Sequence, residues 1–135
     1  MSRGKVMEKK FWIFLILTIL YAGMIFALSS SPSPPGSEEG KATIPYFSHV
    51  AHTTLYFGLA FCVFHTLYYY PKDLEFDIYL ATFLITLLYG ISDEIHQFFV
   101  PNRQFTLIDI FFNALGGLIL VTLMYRYRKY KRKPL

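Results

Sequence analysis

"ATIPYFSHVAHTTLYFGLAFCVFHTLYYYP", residues 42–71, runs for thirty residues without an Asp, Glu, Lys or Arg. A helix that long in water needs a polar face, and this stretch supplies none. The rest of the chain agrees. Of its 135 residues 54% are hydrophobic and 19% aromatic, while 16% are charged, against about 25% charged in an ordinary soluble domain. The composition is that of a membrane protein.

Four segments reach the roughly 20 residues that cross a hydrocarbon core of about 30 Å. They cover residues 11–29, 48–69, 76–98 and 106–125, with a basic tail at 126–135. Because lipid offers backbone amides no partner, each segment is expected to be a helix. The ten-residue alternation of a membrane β-barrel is missing. The expected fold is therefore all-α, an integral four-helix bundle built from residues 1–135 as a single membrane domain. Eleven Lys and Arg lie in the two terminal segments and the 70–77 connection, against Lys41 and Arg103 in the other two connections. Positive charge is retained inside, so both termini are expected in the cytoplasm.

The net charge of +4 then has a simple cause in the tail, which lies against anionic lipid headgroups; a nucleic-acid partner is not expected. The first span follows a basic segment and ends in "ALSSSP", which allows a cleaved signal peptide. Its apolar run, residues 11–28, exceeds a typical signal core and favours a retained helix. The Pro, Ser and Gly of residues 30–47 predict an irregular loop. Cys62 is the sole cysteine, which excludes an intrachain disulfide and a CxxC redox site. It reads as core filling.

Against this background "GISDEIHQFFVPNRQ", residues 90–104, is out of place: it sets Asp93, Glu94, His96 and Arg103 between two apolar spans. It reads as the end of helix three, a tight turn at Val100, Pro101 and Asn102, and the entry to helix four, because proline cannot continue a helix. At 3.6 residues per turn, Gly90, Glu94 and Gln97 share a face with Asp93 at its edge, and His96 points elsewhere, toward headgroups. Asp109, Asn113 and Gly116 share a face of helix four. His49, His52 and Tyr56 repeat at spacings of three and four on helix two. All three faces fall at one depth, near the outer leaflet.

Each residue also has a modest role open to it. Thr106-x-x-Asp109 is a capping box. Asn113, Gly116 and Gly117 suit close helix packing. Asp93 and Arg103 can pair in the headgroup zone, and His49 can sit at the interface beside Tyr46. His65 is expected to be structural. Together, however, intramembrane ionisable groups on inward faces are candidates for function. The predicted site places Arg103 in salt-bridge reach of Glu94 or Asp109, with His52 and Tyr56 closing the same pocket.

The pattern "SDEIHQFFVPNRQFTLIDIFFNALGG" resembles the signature of the VanZ-like family of small bacterial membrane proteins. Its acidic pair, Gln, Arg, Asp, Asn and Gly fall on Asp93, Glu94, Gln97, Arg103, Asp109, Asn113 and Gly116 or Gly117. "HVAHTTLYFGL" looks like the family's Lys-x-x-His-x-x-x-Tyr element, matching His52 and Tyr56, with His49 standing where that element has Lys. The resemblance implies a bacterial cell-membrane location and an association with resistance to the glycopeptide antibiotic teicoplanin, but it does not supply a reaction.

Three function classes follow. One is a factor binding an amphipathic molecule, a glycopeptide or a lipid-linked cell-wall intermediate. There Arg103 clamps a phosphate or carboxylate, with Tyr56, Asp93, Gln97 and Asn113 as further contacts. Another is an enzyme acting on a lipid headgroup, with Glu94 or Asp109 as general base, His52 as general acid and Arg103 stabilising an oxyanion. The last is an assembly subunit whose polar faces set helix packing. A metal held by His49, His52, Glu94 and Asp109 fits the ligand types of zinc, but no local ligand motif such as HExxH occurs, so neither a metal nor a cofactor is expected. Four short helices leave little room for a channel.

Overall fold

The computed structural model describes residues 3–32, 47–71, 76–103 and 105–131. Most of the expected 30–47 loop, residues 72–75, Gln104 and the last four residues of the basic tail lie outside them. Four helices form: α1 (Arg3–Ser29), α2 (Phe47–Tyr68), α3 (Ile78–Phe98) and α4 (Leu107–Lys131). All four are long and apolar enough to cross a membrane, and no strand occurs among the described residues. The termini of α1 and α4 depart from expectation. α1 starts at Arg3 rather than residue 11, and α4 runs to Lys131 rather than stopping at 125. Apolar composition marks only the hydrocarbon-spanning part, whereas intrahelical hydrogen bonds continue beyond it. Arg128, Lys129 and Lys131 in the last turn of α4 also suit the negative pole of its dipole.

Helix α3 is inverted relative to a helix of a soluble bundle. α3 buries Thr82, Thr86, Gly90, Asp93, Glu94 and Gln97, a wholly polar or small stripe. Its Leu80, Leu84, Leu88 and Ile95 are exposed. A chain surrounded by water would put the leucines inside; one surrounded by acyl chains has no reason to.

α2 is the central helix, packed on α1, α3 and α4, and α1 does not meet α4. One side of α2 sets Tyr56, Leu59 and Val63 against Ile25 and Tyr21 of α1, while the other sets Ala60 and Phe64 against Leu120 of α4. Gly116 makes the α2–α4 contact possible. A Cβ there would run into the Thr53 carbonyl oxygen and lie 2.8 Å from the Phe57 nitrogen, both backbone atoms that cannot rotate away.

The ends of the bundle differ in chemistry. At one, the basic end, Lys10 lies over the Tyr69 ring at 5.0 Å and Arg128 over Tyr68 at 4.7 Å. The other, the turn end, gathers the C-termini of α1 and α3 and the N-termini of α2 and α4. Its reversal occurs at the expected residues. Asn102 has φ 62° and the Arg103 amide donates to the Val100 carbonyl at 3.2 Å. That is a type II pattern, with proline second and a left-handed Asn third.

Candidate functional site

Helices α2, α3 and α4 bring four polar side chains together at the turn end. Thr106 caps α4: its hydroxyl accepts from the Asp109 amide at 3.1 Å and donates to Asp109 Oδ2 at 2.6 Å. The cap thus uses one carboxylate oxygen of Asp109 and leaves Oδ1 directed into the bundle. One turn along, Asn113 is fully buried, and its Oδ1 lies 2.8 Å from His52 Nδ1 of α2. A carbonyl oxygen only accepts, so His52 Nδ1 is the protonated nitrogen and donates. His52 Nε2 then faces Asp109 Oδ1 at 3.9 Å. Gly90 admits Asn113 beside α3, since a Cβ there would lie 3.1 Å from both Asn113 Cβ and Tyr56 Cε1.

Glu94 closes the group from α3. Its side chain is 0% exposed and its Oε1 lies 3.8 Å from His52 Nδ1. The Thr106 backbone amide and the Asn113 side chain are close by, yet neither meets the carboxylate in hydrogen-bond geometry, and both Glu94 oxygens are left without a donor. His49, a turn before His52, has Nδ1 3.5 Å from Asp109 Oδ1 and stacks on Phe112 at 4.4 Å.

The remaining residues of the predicted site form a second network, facing α1. Tyr56 donates to Asp93 Oδ2 at 3.1 Å, and Gln97 donates to the same oxygen at 3.2 Å and to Ser29 Oγ at 3.4 Å. Tyr56 and Gln97 therefore do not join the His52 pocket as expected. They serve Asp93, which is buried rather than solvated and does not pair with Arg103. Arg103 is displaced from its expected position too. Its Nε donates to the Ser31 carbonyl at 3.2 Å and its Nη2 to the Leu28 carbonyl at 3.0 Å, and no ion pair to Glu94 or Asp109 forms among the described residues. The reason is local: the last carbonyls of α1 lack intrahelical donors and present the negative end of a dipole. His96 likewise turns to α1, stacking on Phe26 at 4.5 Å with Nε2 2.9 Å from Ser30 Oγ, instead of facing headgroups.

The family model described as VanZ/LLP1 matches residues 11–128, a span holding every residue of both networks. The chain belongs to the VanZ/LLP1 family. No curated protein and no solved structure matches it.

In this VanZ/LLP1 protein, then, the polar residues of the motif do two different jobs. Asp93 joins Tyr56 of α2 to Gln97, and Gln97 and Arg103 tie α3 and the turn to the end of α1. His52, Glu94, Asp109 and Asn113 converge on one another with acceptors in excess of donors. Sequence reasoning missed the end of α1 as a partner. The signal was the run Ser29, Ser30 and Ser31 at the end of the apolar span, of which Ser30 and Ser31 were read as loop. Beside His49 an open groove of about 250 Å³, lined also by Val50, Thr53, Thr54 and Phe112, runs along the outside of α2 and α4.

Proposed function

We propose that the protein binds the polar part of an amphipathic molecule, a glycopeptide antibiotic or a lipid-linked cell-wall intermediate, on the outer side of a bacterial cell membrane. The observation that carries this reading is Glu94, 0% exposed with both oxygens lacking a donor. A buried acceptor left unpaired costs about 1–3 kcal/mol, and a bound molecule that donates to it recovers that energy. The cluster is acidic and Arg103 is engaged at α1, so the headgroup is recognised by its hydroxyls, amides or amines rather than by a phosphate clamp. The groove beside His49 takes the apolar portion. Excess Lys and Arg at the basic end supports a cytoplasmic position for that end, with the cluster outside.

A second reading, acid/base chemistry on a lipid headgroup, is favoured by His52. Its ring is oriented by Asn113 and flanked by two carboxylates, the arrangement a proton-transferring histidine uses.

The test is complementation of teicoplanin-type resistance. Glu94→Gln and Asp109→Asn are expected to lose resistance at wild-type membrane abundance. Full resistance in both variants refutes the binding reading and leaves a packing role for the cluster.

A further inference from the structure

His52, Glu94 and Asp109 each offer one ligand atom, and these atoms all lie within 4.8 Å of one another. They come from three different helices. Two carboxylates this close, with Glu94 buried completely, repel each other and have lost most of their hydration. Among the described residues no Lys or Arg forms an ion pair with either, and Arg103 is bonded to α1. A proton on one of them, or a cation between them, relieves that strain.

A proton shared between His52 and Asp109 is one candidate, and their spacing argues against it. Charge-assisted hydrogen bonds draw their heavy atoms to about 2.5–2.9 Å, whereas His52 Nε2 and Asp109 Oδ1 face each other at 3.9 Å. Ligand atoms on a tetrahedral zinc, each about 2.0–2.2 Å from the metal, stand roughly 3.3–3.6 Å apart. The Nε2–Oδ1 pair lies just outside that range, and the full set, within 4.8 Å, needs side-chain rotations to close on one ion. His52 is also in the required state. Its Nδ1–H donates to Asn113 Oδ1 at 2.8 Å, and Nε2, the nitrogen a neutral ring then offers to a metal, faces Asp109 Oδ1. A metal-binding histidine is held in just this way, by a hydrogen bond from its other nitrogen. The Thr106 hydroxyl does the same for Asp109, occupying Oδ2 and leaving Oδ1 without a donor.

The geometry points to a divalent transition-metal site of the zinc class, with His52 Nε2, Glu94 and Asp109 Oδ1 as ligands and Asn113 and Thr106 as the residues that orient them. It concerns the same cluster as the ligand-binding reading and does not depend on it. Mixed imidazole and carboxylate donors suit zinc, and manganese less well. Three protein ligands leave a coordination position for water or a ligand atom, and the cation would clip α2, α3 and α4 together at one point.

The experiment uses the full chain in detergent, stripped with chelator, washed, and reloaded with zinc alone. Metal content is read by elemental mass spectrometry, and cobalt is substituted as a spectroscopic probe. Wild type is expected to bind one zinc per chain and to give the visible absorption of a low-coordinate cobalt centre. Glu94→Gln and His52→Ala are expected to lose both, and Asn113→Ala to weaken zinc about 10–100-fold through the freed imidazole. His65→Ala, at the other end of α2, retains wild-type binding. The cobalt spectrum needs no variant, so a poorly folding mutant does not blunt the test. Absence of stoichiometric metal in wild type, or binding unchanged in both Glu94→Gln and His52→Ala, overturns the proposal. Resistance that is lost in Glu94→Gln without any metal in wild type would sink this inference alone and leave the ligand reading standing.

Discussion

Glu94→Gln should stabilise the metal-free protein while disabling it. The substitution keeps the shape of a side chain that is 0% exposed and removes a charge whose two oxygens lack donors. It also adds an NH2 group facing Asp109 Oδ1, an acceptor with no donor of its own. Giving an unpaired buried acceptor a donor is worth about 1–3 kcal/mol. Taking the lower half of that range, and a melting shift of roughly 3–5 °C per kcal/mol for a chain of this size, the expected rise is roughly 3–10 °C. The molecule supplies its own reporter. Cys62 is its sole cysteine and is buried, so a thiol-reactive fluorophore labels it as the bundle opens. The scan is run in chelator so that no cation compensates the wild-type charge; with zinc added, wild type should gain and the variant should not. A fall in melting temperature in chelator would mean that Glu94 holds the bundle together, and the reasoning that makes it a ligand-facing group would be wrong.

Arg103→Ala should act through stability, because it removes two charge-assisted hydrogen bonds to the end of α1. At about 1.5–3 kcal/mol for a bond to a charged group, melting falls by several degrees in the Cys62 assay while zinc binding stays intact; an unchanged melting curve with lost ligand binding would restore the anion-clamp role instead. For topology, in a Cys62→Ala background, cysteines at Asn102 and Lys131 should be labelled by a membrane-impermeant reagent from outside and from the cytoplasm respectively. The reverse pattern would place the cluster on the wrong side for a cell-wall ligand.

Four spans, the reversal at Val100–Asn102 and the polar face of α3 were all legible without coordinates. Each depends on local properties: the length of an apolar run, the φ of proline, the 3.6-residue period. The Thr106 cap and the convergence of Glu94, Asp109, Asn113 and His52 were legible for the same reason, since a short turn makes α3 and α4 antiparallel neighbours and the helical period does the rest. Not legible was the division of the motif into two networks. Asp93 and Glu94 are adjacent in sequence and about 100° apart around α3, so one meets Tyr56 and the α1 side while the other meets His52 and α4. Which neighbour waits in each direction depends on where α1 docks on α2, and hence on contacts such as Tyr21 against Gly58. Arg103 illustrates the point most plainly: sequence placed a cation six residues before Asp109, and its partner proved to be the carbonyls of Leu28 and Ser31, more than seventy residues away. Partition between lipid and water is decided by local composition, but the choice of partner for a buried charge is decided by packing.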